Sequence, residues 1–561
     1  MALCNLNTLQ LKRMYPKKEL AQIIISACRQ FEIETVVISP GSRNAPLTIG
    51  FSNDQDFDAI SIVDERCAAF FALGIAQQRQ KPVAIVCTSG SALLNYYPAV
   101  AEAYYSQIPL VVISADRPKH LIDIGDGQTI RQENVFQNHI LFNANLQEQQ
   151  TEKNFELLTE AFSMLTQVKG PIHINAPFDE PLYEAVPAMR EFPFKVNQQI
   201  EMDNVDYEFL AKTWNKAKKK MILVGVHYPD VELEILLDKV ADDPSVLVLT
   251  ETTSNLHNHR FVNCIDNLIF NLTPEEFSSL QPDILLTFGG LIISKKIKKF
   301  LRDYQPKEHW HVNELRALDT YFALTKHIKI DSNTFFTHFS RLTQYENGSD
   351  YESKWIGYRN HTNEKHTDYL QKAPYSDLKV FESILESLPN NSEVQFSNSA
   401  IIRYSQLFKM KRSLTVFCNR GTSGIDGSTS TAIGAAYASK NRTTLITGDL
   451  SFFYDSNALW NTHIPKDFRI IIVNNSGGGI FKIIPGPGTT DSLNYFEAPH
   501  CLTAEHLCKM YGFDYSVANS IDSIKKSLAD FYTGDQPKLL EIFTPSDQND
   551  TVLKEYINHL R

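Results

Sequence analysis

Two stretches near the carboxyl end decide the architecture: Thr444-Leu445-Ile446-Thr447-Gly448-Asp449-Leu450-Ser451 and Arg469-Ile470-Ile471-Ile472-Val473-Asn474-Asn475-Ser476-Gly477. Each is an apolar, β-rich run that ends in a polar cluster containing glycine. The residues between them, from Asp455 to Thr462, can form a short helix. A strand–helix–strand unit of this kind brings both clusters to the carboxyl edge of one parallel sheet. An Asp carboxylate, an Asn amide oxygen and a turn carbonyl suit a hard cation such as Mg²⁺, which commonly binds phosphate groups as well. Taken singly, Asp449 would more often cap a helix and Asn475 would stabilise a turn. The joint pattern, with glycine beside both, favours the metal.

The same alternation extends outward over the whole chain. In the first third, strands are predicted at Thr35–Ser39, Ala59–Val63, Pro82–Cys87, Leu110–Ser114 and Pro171–Asn175. Helices are predicted between them, at Glu19–Phe31, Arg66–Gln78, Ala92–Tyr105 and Asn154–Leu165. The strands lack clean polar alternation, as strands covered on both faces should. Residues 181–205 read as a linker. A second α/β block follows, with strands at Met221–Val226, Val246–Thr250, Asp283–Phe288 and His309–Val312. The polar stretch 343–375 reads as a second linker. The last third resumes at Val380 and ends in a helix over Thr551–Leu560. The expected boundaries are 1–190, 205–345 and 375–561.

Bulk properties agree. A chain of 561 residues exceeds one core and implies about three domains. The hydrophobic share of 43% and charged share of 21% are those of a soluble globular protein. A net charge of −11 without a basic tail argues against nucleic acid. The eight cysteines, Cys4, Cys28, Cys67, Cys87, Cys264, Cys418, Cys501 and Cys508, show no zinc spacing. They read as reduced thiols, mostly buried, in a cytoplasmic protein. No stretch has the length of a membrane span, and the first residues lack a signal-like apolar core. A nicotinamide-dependent dehydrogenase is disfavoured, because no GxGxxG follows an early strand.

Arginines recur in turn-like phrases after strands: Ser39-Pro40-Gly41-Ser42-Arg43, Ala115-Asp116-Arg117-Pro118 and Asn419-Arg420-Gly421. Arg403 follows Ser399 by one helical turn, so the two can share a face. The usual fate of arginine is a surface ion pair. Placement at the sheet edge where ligands bind, on an acidic protein, suggests a basic pocket for substrates with several carboxylates.

The Asp449–Asn475 arrangement resembles the metal–diphosphate motif of thiamine-diphosphate enzymes. Three successive α/β units match the layout of the decarboxylase type: three doubly wound α/β domains, with parallel sheets flanked by helices. Thiamine catalysis needs a carboxyl group against the aminopyrimidine ring. Glu65, at the strand-to-helix junction Val63-Asp64-Glu65-Arg66, is the candidate, with Glu102 as the fallback. Burial would raise such a carboxyl's pKa and suit proton sharing. A lone acidic residue there would otherwise be explained by the helix dipole.

Further phrases resemble one family closely, the 2-succinyl-5-enolpyruvyl-6-hydroxy-3-cyclohexene-1-carboxylate synthases of menaquinone biosynthesis. They are Ser-Pro-Gly-Ser-Arg (39–43), Asp-Glu-Arg (64–66), Thr-Ser-Gly-Ser-Ala (88–92) and Ala-Asp-Arg-Pro (115–118). To these are added Gln-Thr-Ile-Arg-Gln (128–132), Asn-Arg-Gly-Thr-Ser-Gly-Ile-Asp-Gly (419–427) and Gly-Asp-Leu-Ser (448–451). The resemblance implies decarboxylation of 2-oxoglutarate on thiamine diphosphate. The succinyl-semialdehyde carbanion then adds to isochorismate. A related carboligase acting on a small uncharged 2-oxo acid is the alternative, but such a substrate needs no second carboxylate clamp.

The resemblance also implies roles. Glu65, Arg403 and Gln128 would be catalytic. Asp449, Asn475 and the Gly477 carbonyl would hold Mg²⁺, with Mn²⁺ as an alternative ion. Pro40, Ile425, Gly448, Leu450, Ser451 and Ile480 would join Glu65, Asp449, Asn475 and Gly477 around the cofactor. Ile425 would hold its rings in a bent V. Ser42, Arg43, Arg117, Gln128, Lys295, Lys296, Ser399, Arg403, Arg420 and Phe481 would contact substrate. Asp126-Gly127, beside Gln128, is an acidic departure in a loop that should meet anions. The superfamily builds its site from two subunits, which implies at least a homodimer, and a homotetramer is compatible with it. Glu65 of one chain would then face Asp449 of the other.

Overall fold

The computed structural model describes residues 14–194, 204–346, 348–484 and 486–561. Cys4 and the part of the expected first linker at 195–203 lie outside the described residues.

Three parallel sheets follow one another along the chain. The first contains β1 (Thr35–Ile38), β2 (Asp58–Ser61), β3 (Val83–Cys87), β4 (Leu110–Asp116), β5 (Asn143–Asn145) and β6 (Ile172–Pro177), in the order β2-β1-β3-β4-β6-β5. The second contains β7 (Lys220–Val224), β8 (Val246–Thr250), β9 (Ile284–Phe288), β10 (Glu308–Val312) and β11 (Leu324–Ile328), in the order β8-β7-β9-β10-β11. The third contains β12 (Glu393–Phe396), β13 (Thr415–Cys418), β14 (Thr443–Gly448), β15 (Arg469–Asn474), β16 (Asp514–Ala518) and β17 (Lys538–Phe543), in the order β13-β12-β14-β15-β17-β16. The first and third sheets therefore share one topology. The first sheet lies in one compact unit, and the other two lie in a second. Segments 430–439 and 457–463 are grouped with the first unit.

Burial on both faces explains the apolar runs. All residues of β1, β3, β4 and β15 are buried. In the second sheet, Ile222, Val224, Val246 and Val248 enter one core, and Met221, Leu223, Leu247 and Leu249 enter the other. That is the strand period of two, with apolar residues required on both sides.

Several elements depart from expectation. The stretch 343–375 is no loop: most of it is the 22-residue helix Tyr351–Lys372. Only Tyr351, Trp355, Thr362 and Leu370 are buried along it, so its apolar periodicity is too sparse to read. The expected helix at Ala92–Tyr105 is two helices, Ser91–Asn95 and Tyr97–Ser106, which meet at Tyr96 just before Pro98. The helix after β14 begins at Asp449 itself, and only a 3₁₀ turn, Ser456–Leu459, lies within the stretch predicted for it. Ala185–Val186, inside the expected first linker, pairs antiparallel with Tyr15–Pro16. The short β5 and the half-exposed β11 lacked a sequence signal. No disulfide joins any of the described cysteines, and among them only Cys501 is exposed.

The second sheet contains a fully buried ion pair. Lys220 Nζ lies 2.6 Å from Asp243 Oδ2 and is 0% exposed. Asp243 Oδ1 accepts the N–H and the hydroxyl of Ser245 at 3.0 and 2.7 Å. Burial opposes ionisation, but Lys220 and Ser245 outweigh it and hold the Asp243 carboxyl below its usual range. This stability is present above the ordinary carboxylate pKa and is lost as pH falls through the depressed one. Lys220→Met strands the Asp243 charge. It should cost about 3–5 kcal/mol in chemical denaturation near neutral pH, and less in acid.

Candidate active site

In the third sheet the chain leaves β12 toward β13 on one side and reaches β14 on the other. A crevice opens outside the carboxyl ends of strands at such a reversal. β12 runs into Ser397, Asn398 and Ser399, and β14 runs into Asp449. The Gly448 N–H donates to Ser397 Oγ at 3.3 Å and joins the two ends.

Asp449 is 3% exposed. Its Oδ1 accepts the Leu450 N–H at 2.7 Å, and its Oδ2 accepts the Gly477 N–H at 2.9 Å. His500 Nε2 lies 3.3 Å from the same Oδ2. Burial pushes this carboxyl up to about 6, against the pull of the two amides and His500. Asn475 Nδ2 donates to Asp377 Oδ2 at 3.0 Å. Thr544 donates to the other Asp377 oxygen at 2.6 Å, so the carboxylate is fixed. This bond turns the Asn475 amide so that its Oδ1 is buried, with no partner among the described residues. A buried acceptor without a donor is costly unless a ligand satisfies it. Asp449, Asn475 Oδ1 and the Gly477 carbonyl thus supply an all-oxygen donor set that fits a divalent cation. Glycine is required at 477: φ is +150°, and a Cβ there would lie 2.7 Å from the Glu497 carbonyl.

The loop 419–427 is tied to this edge by a residue the motifs missed. Asn398 Nδ2 donates to the carbonyls of Asn419 and Gly424, both at 2.7 Å, and its Oδ1 accepts Arg420 Nη1 at 2.6 Å. Ser451 Oγ donates to the Ile425 carbonyl at 2.7 Å, joining the half-buried Ile425 to the Gly448–Ser451 turn. Ile480 is buried, and Phe481 lies against Phe496 with ring centroids 5.7 Å apart. The position of Asn398 at a strand end, next to Ser399, was an available signal. Asp377 had none, because it meets Asn475 only through the fold.

Ser399 occupies the N-cap position of the helix Ala400–Ser405 with φ +67° and without a side-chain capping bond, and Arg403 lies on that helix. Arg403 is half-buried and makes no hydrogen bond or ion pair among the described residues. Burial and then Arg420 lower its pKa, and Asp266 opposes them. The Arg420 Nε is buried without a partner. Lys295 and Lys296 open the helix Lys295–Asp303 and are exposed, and Lys296 Nζ lies 5.2 Å from the Phe270 ring centroid. The Asp266 carboxyl is subject to both Lys296 and Arg403. Lys298, absent from the expected set, is the half-buried lysine of this run, and its charge interacts with Arg420.

The first unit contains its own reversal, between β1 and β3. Pro40, Gly41 and Ser42 are exposed there. Arg43 is 3% exposed, and its guanidinium is already engaged: Nη1 donates to the Phe178 carbonyl at 2.8 Å, and Nη2 lies 3.2 Å from Glu180. Arg117 is half-buried, 3.9 Å from Asp126, so the acidic departure faces an arginine. Gln128 is exposed at φ +55°, and its carbonyl accepts Ser89 Oγ at 3.0 Å. Gln132, which closes the phrase 128–132 but is assigned no role there, locks this loop. It accepts the Gly90 N–H at 2.8 Å and donates to Asn175 at 2.9 Å. Glu65 is the first residue of the helix Glu65–Arg79, capped by Asp64, which accepts the Cys67 N–H at 3.1 Å. Glu65 is half-buried, and its charge adds to the effect of burial in raising Cys87 and Tyr96. Glu102 is buried within its own helix, where it accepts Ser106 Oγ at 2.7 Å.

Three family models match the chain: the thiamine pyrophosphate enzyme N-terminal TPP binding domain over 18–145, the middle domain of thiamine pyrophosphate enzymes over 196–395, and the C-terminal TPP binding domain over 399–542. A protein of Flavobacterium johnsoniae named 2-succinyl-5-enolpyruvyl-6-hydroxy-3-cyclohexene-1-carboxylate synthase is 53% identical over 98% of this chain and 100% of its own length. Its namesake in Flavobacterium psychrophilum is 54% identical with the same coverage. That of Porphyromonas gingivalis is 37% identical over 97% of this chain and 98% of its own. The chain belongs to this synthase family. It is a thiamine-diphosphate-dependent enzyme of the transferase type, built from three α/β domains with parallel sheets. Among the described residues no helix is long and apolar enough to cross a membrane.

In this member of the synthase family, Asn398 holds the loop 419–427 against the carboxyl end of β12. Asn398→Ala removes four hydrogen bonds: those it donates to the carbonyls of Asn419 and Gly424, and those it accepts from Arg420 and the Cys418 thiol. Thiamine diphosphate affinity, followed by tryptophan fluorescence, should fall by at least about tenfold, equivalent to about 1.4 kcal/mol.

Proposed function

We propose that this protein decarboxylates 2-oxoglutarate and transfers the resulting succinyl-semialdehyde carbanion to isochorismate, yielding 2-succinyl-5-enolpyruvyl-6-hydroxy-3-cyclohexene-1-carboxylate for menaquinone biosynthesis. The observation that carries the reading is Arg403. It is a half-buried arginine that makes no hydrogen bond or ion pair among the described residues, on the short helix that follows Ser399, and its charge interacts with those of Arg420 and Asp266. Such a cation awaits an anion, and a dicarboxylate supplies one at the end remote from the reacting carbon.

Mg²⁺ would be held by Asp449, Asn475 and the Gly477 carbonyl. Bound thiamine diphosphate supplies the electron sink for loss of CO₂. Glu65 would hold the proton at the aminopyrimidine ring, while Pro40, Ile425, Gly448, Leu450, Ser451 and Ile480 line the cofactor. Ser42, Arg117, Gln128, Ser399, Arg403, Arg420, Lys295, Lys296 and Phe481 would orient the two substrates, and Arg43 would stiffen the loop that carries Ser42. The domains would span 1–190, 205–345 and 375–561, in a cytoplasmic homodimer or homotetramer whose subunits share each site.

A coupled assay with both substrates, read by mass of the product, tests the reaction. Formation of only CO₂ and free succinic semialdehyde with isochorismate present would refute the transfer. Arg403→Ala should raise the KM for 2-oxoglutarate by about 100-fold with cofactor affinity retained, the cost of one charge-assisted contact. Chelation by EDTA should abolish turnover and cofactor retention together. Asp449→Asn should reproduce that loss even in excess Mg²⁺.

A further inference from the structure

The second sheet has a reversal of its own, between β7 and β9, where an α/β sheet would ordinarily receive a ligand. Here the backbone closes it. The Gly290 N–H donates to the Val226 carbonyl at 2.7 Å. A Cβ on Gly225 would lie 1.9 Å from the Gly290 carbonyl oxygen.

Beside this closed crevice lies a carboxylate that the proposed mechanism does not use. Glu251 follows β8 and is 4% exposed. Its two oxygens accept the N–H groups of Ile293 and Ser294 at 2.6 and 2.7 Å. Those amides precede the helix Lys295–Asp303, which Ser294 caps by accepting the Ile297 N–H at 3.0 Å. The chain's own carboxylate thus fills the place where an anion would bind at a helix N-terminus. The Ser294 hydroxyl also pairs with Asp266.

The turn that begins at Glu251 grips two further elements. Thr252 Oγ1 donates to the Ser405 carbonyl at 3.3 Å, at the end of the helix that bears Arg403. Asn255 exchanges two hydrogen bonds with Val416, at 2.9 and 2.8 Å, on the strand that leads to Arg420. One five-residue turn therefore ties the lysine-rich helix, Arg403 and Arg420 together. Lys298, half-buried on that helix, has no hydrogen bond or ion pair among the described residues, and its charge interacts with Glu251 and Arg420.

We propose that Glu251 is a positioning residue for substrate-carboxylate recognition: its buried carboxylate seats the lysine-rich helix so that Lys298 completes an anion-receiving cluster with Arg403 and Arg420. The proposal rests on the reading of Arg403 and Arg420 as carboxylate ligands. Both Glu251 oxygens act as acceptors, and protonation would turn one of them into a hydroxyl, a donor and a much weaker acceptor. Burial pushes this carboxyl up to about 7, the two amides and Lys298 pull it down, and Asp266 raises it. Tyr321 faces it from the segment before β11. The seat is therefore complete above about 7 and loosens as pH falls through that value.

The test uses the holoenzyme with thiamine diphosphate and Mg²⁺. Glu251→Gln, which puts an amide NH₂ against a backbone N–H, should raise the KM for 2-oxoglutarate by about 10–100-fold, as loss of a supporting partner does. Cofactor affinity should hold, and the rise in wild-type KM on acidification through about 7 should disappear. Lys298→Met, a change at a half-exposed position, should raise the same KM. If Glu251→Gln does not fold, a wild-type KM that is flat across that range, or a Lys298→Met KM equal to wild type, overturns the proposal. Wild-type KM values in Glu251→Gln beside an impaired Arg403→Ala would refute the seat alone. An unimpaired Arg403→Ala would remove the carboxylate reading and the seat with it.

Discussion

The hydrogen bond from Asn475 to Asp377 is the constraint on which the oxygen-rich turn at the end of the third sheet depends. An amide presents one donor end and one acceptor end, and Asp377 takes the donor. The acceptor oxygen is left buried beside the Gly477 turn that Asp449 holds. Asp377 is itself locked by Thr544 and Asn549, so the choice of end is made before any ligand arrives. Preorganisation of this kind lowers the cost of ordering the site at binding.

Repetition of one strand order in the first and third sheets gives each a crevice at the same place. The two crevices then diverge in chemistry. The third carries the oxygen donors and the Asn398-anchored loop. The first carries Arg43, Arg117 and the Gln132-locked loop, together with Glu65 at a helix start. The second sheet, with a different order, closes its crevice with glycine backbones and lends a lysine-rich helix to the neighbouring sheet. The candidate site residues are thus placed on strand ends and helix starts, the most rigid mounts that an α/β fold offers.

Much of this was legible because burial on both faces forces continuous apolar runs. The runs at Val83–Cys87, Leu110–Asp116 and Arg469–Asn474 announce themselves in that way. The Tyr351–Lys372 helix was not legible, because few of its residues are buried and its polar faces mimic a linker. The site divides similarly. Asp449, Asn475, Glu65, Arg403 and Arg420 carry signals in short phrases. Gln132 lies in such a phrase and Asn398 adjoins Ser399 at a strand end, but Asp377 and Glu251 carry no such signal, since each acts through partners distant in sequence.

The sequence by itself determined the alternation of strand and helix, the residue types at the strand ends and hence the class of ligand they can hold. Apolar periodicity and glycine placement are local properties, and local properties can be read along a chain. Only the tertiary structure decided which acceptors are left without donors, which arginines are already spent on carbonyls and which lysine of a run of four turns inward. Those outcomes depend on what else occupies the same few ångströms, and that is settled by packing between segments far apart in the chain.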